Sequence, residues 1–440
     1  MPNPTATAFD RDVEAQALID FVDGSPSPFH AVRTAAALLE PAGFTEVDEA
    51  DAFPTQPGRY YLVRGGSLVA WSTDERPADP VRSFRVVGAH TDSPNLRIKP
   101  NPDVARAGWQ LLGVEVYGGP LLSSWLDRDL GLSGRVAVRE PDHTVGTRLL
   151  TVDEPVLRVA HLAIHLDRSQ NQALSLNPQQ HLVPLWALGE TPGDFRAWLA
   201  EQLDVEANDV LAWDVMTHDV QPSRVIGRDR DLIAAPRLDN LATCRAGVAA
   251  LLHACEQANP QVPVLALFDH EEVGSVSERG AQSGLLTDTL ERIVLSGGGG
   301  REDYRRAMAR SVVASGDMAH ATHPNYADRH DPQHQVAVNS GPVLKVNAQL
   351  RYATDSVGAA AFVLACEQAG VPVQRFVVRT DLPSGSTVGP ITSALTGATT
   401  VDFGAPLLSM HSARELCGAH DPAMYAAALA AFLAPDSSER

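Results

Sequence analysis

The sequence predicts an α/β protein in which buried strands alternate with helices and a strand-rich module interrupts the chain. Three observations carry this expectation. First, apolar runs of strand length stop at chemically loaded residues: Pro263–Phe268 at Glu271 and Glu272, Phe84–Gly88 at His90 and Asp92, Ser311–Ala314 at Asp317, and Thr399–Phe403 ahead of His411. Open α/β sheets hold their ligands at such strand ends. Second, from about 98 to 235 the pattern shifts to short alternating runs, which read as strands. Third, His90 precedes that stretch while Asp239, Glu272, Asp317 and His411 come after it, so a site that uses all of them requires an insertion. The expected segments are 1–97, 98–235 and 236–440, the first and last forming one domain.

Taken in order, residues near 10–40 read as two helices divided by Gly24-Ser25-Pro26-Ser27-Pro28, with Ser27 as cap and Pro28 at the first helical position. Gly43 ends the second. In the module, Gly113–Gly118 and Leu132–Glu140 alternate as strands, and Asp194–Leu203 reads as a helix. Asn240–Ala258 is the next helix. Ser412 and Glu415 have capping-box spacing, which sets His411 just before a helix start. Ala423–Pro435 reads as a packed helix, too short to span a bilayer. His161-Leu162-Ala163-Ile164-His165 fits either a helical pair or two residues on one face of a strand. Gly297–Gly300 reads as a surface loop, because no G-x-x-x-x-G-K-[ST] surrounds it.

At 440 residues the chain exceeds the usual size of one hydrophobic core, and 44% apolar with 20% charged residues fits a folded protein. A formal net charge of −19, with no Lys/Arg run, repels phosphate backbones and anionic membranes. Cys244, Cys255, Cys366 and Cys417 are widely separated and form no C-x-x-C pair, so neither a disulfide framework nor a thiolate zinc site is signalled. With no basic and apolar leader pattern at Met1-Pro2-Asn3-Pro4, the expected location is the cytoplasm.

The chemistry is set by residue type. In an extended segment His90 and Asp92 point to one side, so His90 can ligate a metal while Asp92 takes a hydrogen bond from its other ring nitrogen. Asp239 stands where an N-cap or first-turn acid is the plain reading, yet its two oxygens can also bridge two cations. Adjacent acids at the end of an apolar strand repel each other unless a cation or proton lies between them. Of Glu271 and Glu272, one can bind metal while the other serves as general base, and spacing does not decide which. His320 and His323 come after Asp317 at helical or turn spacing, whereas His330 and His334 read as satisfied loop histidines. Lys345 flanks an apolar-polar run, where a surface lysine needs no further explanation. In a pocket it would pair with a substrate carboxylate.

The chain resembles the M18 family of metallopeptidases, the aspartyl aminopeptidases, nearly from end to end. The resemblance runs through Ser25–His30, Gly88–Pro94, His161–His165, Arg237–Asn240, Asp269–Ser275, Ser315–Tyr326, Arg351–Asp355, Ser386–Pro390 and Ser409–Glu415, in shared order. It implies a three-layer metallopeptidase domain with a mixed central sheet, plus an inserted strand-rich domain that serves oligomerisation or acts as a lid. It implies two zinc ions per subunit, with His90, Asp239, Glu272, Asp317 and His411 as ligands and Asp239 as the bridge; manganese or cobalt would substitute. Glu271 becomes the general base and Asp92 the residue that orients His90. His165 is implied to reach a neighbouring subunit's active site and touch substrate there, with direct metal contact as the alternative. His320, Lys345 and Tyr352 match substrate-contacting positions, joined by Glu271 and Asp317. The implied assembly is a tetrahedral dodecamer built from dimers. Ser384 departs from the pattern, standing where Cys is frequent.

The sequence therefore predicts a dinuclear zinc aminopeptidase that removes N-terminal Asp or Glu from peptides with a free N-terminus. A related dinuclear amidohydrolase or acylase is the enzyme alternative, and a metal-held assembly protein without catalysis is the alternative of another class.

Overall fold

The computed structural model describes residues 9–74, 83–257 and 259–436. Chain contacts group these into two compact units. One comprises the described residues up to Asp92 together with Ser223–Met410 and Glu415 onward, and the other comprises Ser93–Pro222 with His411–Arg414.

The first unit is built on a nine-stranded sheet. Across it run Phe44–Glu46, Arg59–Arg64, Ser67–Ser72, Val262–Phe268, Phe84–His90, Val312–Gly316, Thr399–Gly404, Val343–Lys345 and Gln374–Phe376. The four central strands, Val262–Phe268 through Thr399–Gly404, are mutually parallel, whereas Ser67–Ser72 and Val343–Lys345 flank them antiparallel. The sheet is therefore mixed. Strand alternation explains its two covered faces. Val87, Ala89, Leu265, Leu267 and Ala314 pack into one core with the helices Arg11–Asp23, Pro28–Leu39, Leu238–Ala254, Ser356–Ala369 and Asp421–Leu433. Phe84, Val86, Val264, Ala266 and Phe268 point the other way, into a core shared with Leu285–Ser296 and Arg301–Met308. Three layers result. Each large side chain fully buried in these cores contributes roughly 1.5–3 kcal/mol relative to exposure.

A smaller sheet in this unit joins Arg224–Ile226, Leu232–Ala235, Glu415–Gly418, Pro406–Leu408 and Ala319–His320. The second unit is a closed barrel of Val210–Asp219, Asn95–Arg106, Trp109–Tyr117, Leu185–Leu188, Val145–Arg158 and Asp129–Arg139, with the helix Phe195–Leu203 capped by Asp194. Its core centres on Leu112, Leu130, Val136, Phe195 and Val215.

Several expectations need correction. The unit borders lie at 92/93 and 222/223 rather than 97/98 and 235/236, because Leu232–Ala235 pairs in register with Glu415–Gly418 and so belongs to the first unit. Glu415 opens that strand instead of a helix, since pairing with Ala235 overrides the local capping-box pattern. Ser27 stands at the N-cap position, but its hydroxyl bonds His30 Nδ1 at 2.7 Å rather than a backbone amide. His161 and His165 lie in an exposed loop and turn, neither helix nor strand. The helix expected over Asn240–Ala258 is Leu238–Ala254, and Ala258 and the Met1–Pro4 segment lie outside the described residues. The apolar C-terminal run is the buried helix Asp421–Leu433. Among the described residues no helix is long and apolar enough to cross a membrane, and all four cysteines are free thiols.

Candidate metal centre

Parallel pairing brings the predicted residues of the first unit together. Phe268 pairs with His90, and Ser315 with Gly88, so three neighbouring strands finish at the same edge of the sheet. The residues just past each strand therefore share that edge. His90 closes its strand with its side chain buried, and Thr91 N–H donates to Phe268 O at 2.8 Å, which holds the chain beside the neighbouring strand end.

Asp92 is fully buried, and its carboxylate accepts the Glu271 and Glu272 N–H groups at 3.1 Å each. The two glutamates occupy a short 3-10 turn, Glu271–Val273, between His270 and Gly274, both in the left-handed region. Asp92 thus fixes the turn that carries the acid pair. This role is not legible in His90-Thr91-Asp92. Toward His90, the shortest contact is the Asp92 backbone carbonyl, 3.0 Å from Nδ1, with the carboxylate at 3.5 Å. A carbonyl only accepts, so Nδ1 donates, and Nε2 is the ring nitrogen that faces the acids. Nε2 lies 3.5 Å from Asp239 Oδ1 and 4.0 Å from Glu271 Oε2.

Asp239 is not a helix cap. Arg237 takes that position, and both Asp239 and Asn240 leave helical geometry. Asp239 N–H donates to Glu415 Oε2 at 2.9 Å, and Asn240 Nδ2 donates to Gly316 O at 2.8 Å, so the bend is tied to two neighbouring segments. These bonds release the Asp239 carboxylate from capping and turn it toward His90.

Two groupings result within this unit. One ligand atom each from His90, Asp239 and Asp317 lie within 4.8 Å of one another, as do atoms from His90, Glu271 and Glu272. Packing acids this closely has an electrostatic consequence. Burial, opposed by His90 and reinforced by Asp317, Asp92 and Asp239, pushes the Glu271 carboxyl up to about 8. Burial works against charge on His90, yet Asp239 and Asp92 outweigh it and hold the imidazole well above its ordinary range.

Lys345, expected at the surface or in a pocket, is buried, its Nζ 3.1 Å from Asp317 Oδ1 and 5.4 Å from the Tyr352 ring centroid. Burial disfavours its charge, but Asp317 more than offsets this, and the ammonium is held above its usual range. Tyr352 is buried as well. His320 is exposed and meets Phe376 edge-on. His330 Nε2 accepts the His323 N–H, and His334 Nδ1 bonds Asp331, as satisfied loop histidines do. Ser384 is half-buried. In the second unit, His411 Nδ1 bonds Gly119 O at 2.9 Å, and Leu121 N–H donates to His411 O, so its ring and backbone are both anchored. His165 is exposed there.

Three polar residues that tie these segments together escape sequence reasoning. Glu415 reads as half of a capping box, and Arg279 lies in polar loop sequence with no pattern of its own. Asp402 is fully buried and receives Thr387 Oγ1 and the Ala353 N–H, joining the Ser386–Pro390 and Arg351–Asp355 motifs. An acid inside the apolar run Thr399–Phe403 is the one available signal.

The family described as Aminopeptidase I zinc metalloprotease (M18) matches residues 21–433. The chain belongs to the M18 family. It is 54% identical to the probable M18 family aminopeptidase 2 of Mycobacterium leprae (strain TN), over 95% of this chain and 98% of that protein. The cryo-EM structure of the Ape4 and Nbr1 complex contains a chain 36% identical to it with a TM-score of 0.92, covering 96% of this chain and 86% of that one. The S. cerevisiae mApe1 dodecamer matches at 26% identity and a TM-score of 0.82, over 96% of both chains. As an M18 member this protein is a metalloaminopeptidase, and its mixed-sheet α/β fold is that of its relatives. The imidazole and carboxylate donors gathered at the strand ends fit the zinc of the M18 family, since borderline-soft Zn²⁺ takes N and O ligands and offsets clustered carboxylates.

Proposed function

We propose that this protein is a dinuclear zinc aminopeptidase that removes N-terminal Asp or Glu from peptides. The observation that carries the proposal is that two carboxylate groupings share His90, one running to Asp239 and Asp317 and the other to Glu271 and Glu272. His90, Asp239, Glu272 and Asp317 would hold the ions, with Asp239 as the bridge. His411 joins them by its match to the family position. Manganese or cobalt would occupy the same N/O donors, because availability decides among them.

Zinc, when bound, supplies Lewis-acid polarisation of the scissile carbonyl and a water of lowered pKa. Glu271 accepts the proton of the attacking water and returns it to the leaving amine. Its place favours this role: it lies beside His90, and its backbone is fixed by Asp92. Asp92 also orients His90 through the backbone carbonyl. The acid-rich surroundings suit a free α-amine, which Glu271 and Asp317 would receive. His320, Lys345 and Tyr352 would contact the first residue, and His165 would serve a neighbouring subunit in a dodecamer like that of mApe1. Direct contact of His165 with metal is the alternative. The free thiols accord with a cytoplasmic location.

A release assay on peptides that differ only in their first residue, run with and without chelator, tests this. Chelator-sensitive release of Asp and Glu well above Leu is expected. Equal release of Asp and Leu removes the acidic preference, and preference for an acetylated N-terminus makes the protein an acylase.

A further inference from the structure

The acid pair sits in a loop closed by a part-buried ion pair that the proposed mechanism leaves unused. Strand Val262–Phe268 passes into Asp269, which is almost fully buried, and ten residues later Arg279 Nε donates to Asp269 Oδ2 at 2.9 Å. One hydroxyl ties both ends of this loop to the sheet. Asp269 N–H donates to Ser67 Oγ at 2.7 Å, and Ser67 Oγ donates to Arg279 O at 2.7 Å. Ser67 itself has no exposed surface. The turn ahead of Ser67 has the shape this arrangement requires: a Cβ on Gly66 would stand 2.4 Å from Asp269 Oδ2, and one on Gly65 2.8 Å from Arg279 Cδ. Within the loop, Ser275 N–H reaches His270 O, and Gly280 N–H reaches Ser277 Oγ, whose hydroxyl also bonds His270 Nδ1. These bonds tie the loop back to its Asp269–Arg279 end, and Glu271 and Glu272 ride on it.

We propose that Arg279 is a positioning residue that, through its ion pair with Asp269, sets the Glu271–Glu272 turn at the geometry that metal binding and proton transfer need. This rests on the metal-site reading above. Partners that hold metal ligands from behind typically contribute roughly 10–100-fold in metal affinity or activity, because a ligand carboxylate aimed wrongly must be reoriented on binding. Arg279 acts at the ends of the loop while Asp92 holds the backbone of the turn.

A double-mutant cycle tests it, with zinc affinity measured by competition against a chromophoric chelator and kcat measured separately from KM. Arg279→Met and Asp269→Asn are each expected to weaken zinc binding roughly 10–100-fold and to lower kcat more than they raise KM. The double variant is expected to be no worse than the weaker single, since both remove one interaction. Losses that add, or an Arg279→Met protein within about twofold of the parent in zinc affinity and kcat, overturn the proposal. Should Arg279→Met fail to fold, Ser67→Ala serves in its place, with about tenfold weaker zinc binding supporting the clamp and parental affinity overturning it. A parent chain that binds no zinc overturns the metal-site reading itself, which distinguishes the two failures.

Discussion

Lys345 Nζ lies 3.1 Å from Asp317 Oδ1, and both side chains are buried, with Asp317 grouped beside His90 and Asp239. Removing one member of a buried pair leaves the other uncompensated, at a cost of about 3–5 kcal/mol. Lys345→Ala is therefore expected to destabilise the metal-free protein by roughly that amount, and the zinc-loaded protein by less, because cations then neutralise Asp317. The same variant reports on specificity. If the ammonium also meets an acidic first residue, the ratio of kcat/KM for Asp over Leu peptides falls. An unchanged ratio confines Lys345 to holding Asp317.

Glu271 and Glu272 are neighbours with separable roles. Glu271→Gln keeps the shape and the backbone bond to Asp92 but removes the proton acceptor. Turnover should fall about 10²–10⁴-fold. Zinc binding, measured by titration, should stay near parental because Glu272 and His90 remain. Near-native turnover would end the assignment of Glu271 as base.

The strand ends are legible in the sequence because an apolar run that stops at an acid is a local signal, and the parallel register then places His90, Glu271 and Asp317 together. Pairing across the chain is what escapes. Asp239 and Glu415 meet over 176 positions, and nothing near Glu415 announces Asp239. Its local pattern points instead to a helix, and strand pairing with Leu232–Ala235 overrides that preference. Lys345 reads as a surface residue because its partner, Asp317, lies 28 positions away and belongs to another strand end. Ion pairs and hydrogen bonds set by topology leave no periodic trace, whereas burial of an alternating strand does.

Removing the metal should cost stability as well as activity. Anything bound only by the native state stabilises it by RT ln(1 + [L]/Kd), about 2.7 kcal/mol at one hundred times Kd. Carboxylates that repel one another at the strand ends amplify the expectation. Thermal unfolding with excess chelator should therefore begin well below that of the zinc-loaded protein, and readdition of zinc should restore it. Coincident curves would mean that these acids do not hold an ion in the native state.

Asp421 gives a pH dependence that is independent of the metal site. It opens the helix Asp421–Leu433, is buried, and accepts N–H groups from Asn339 at 2.9 Å and Gly418 at 3.2 Å. Burial pushes its carboxyl up to about 7, against the pull of these amides. Between an unfolded value of about 3.9 and that folded value, the native state keeps a proton that the unfolded chain has lost, so stability falls as pH rises through this window and levels off above it. At about 1.4 kcal/mol per pKa unit the loss is of order 4 kcal/mol at most. Asp421→Asn carries no titrating proton and still offers one oxygen to the same amides. The stability of the parent minus that of Asp421→Asn, taken from urea unfolding at several pH values, should decline from about pH 4 to about pH 7. Parallel stability curves across that range would show that Asp421 ionises in the folded protein as it does in the unfolded chain.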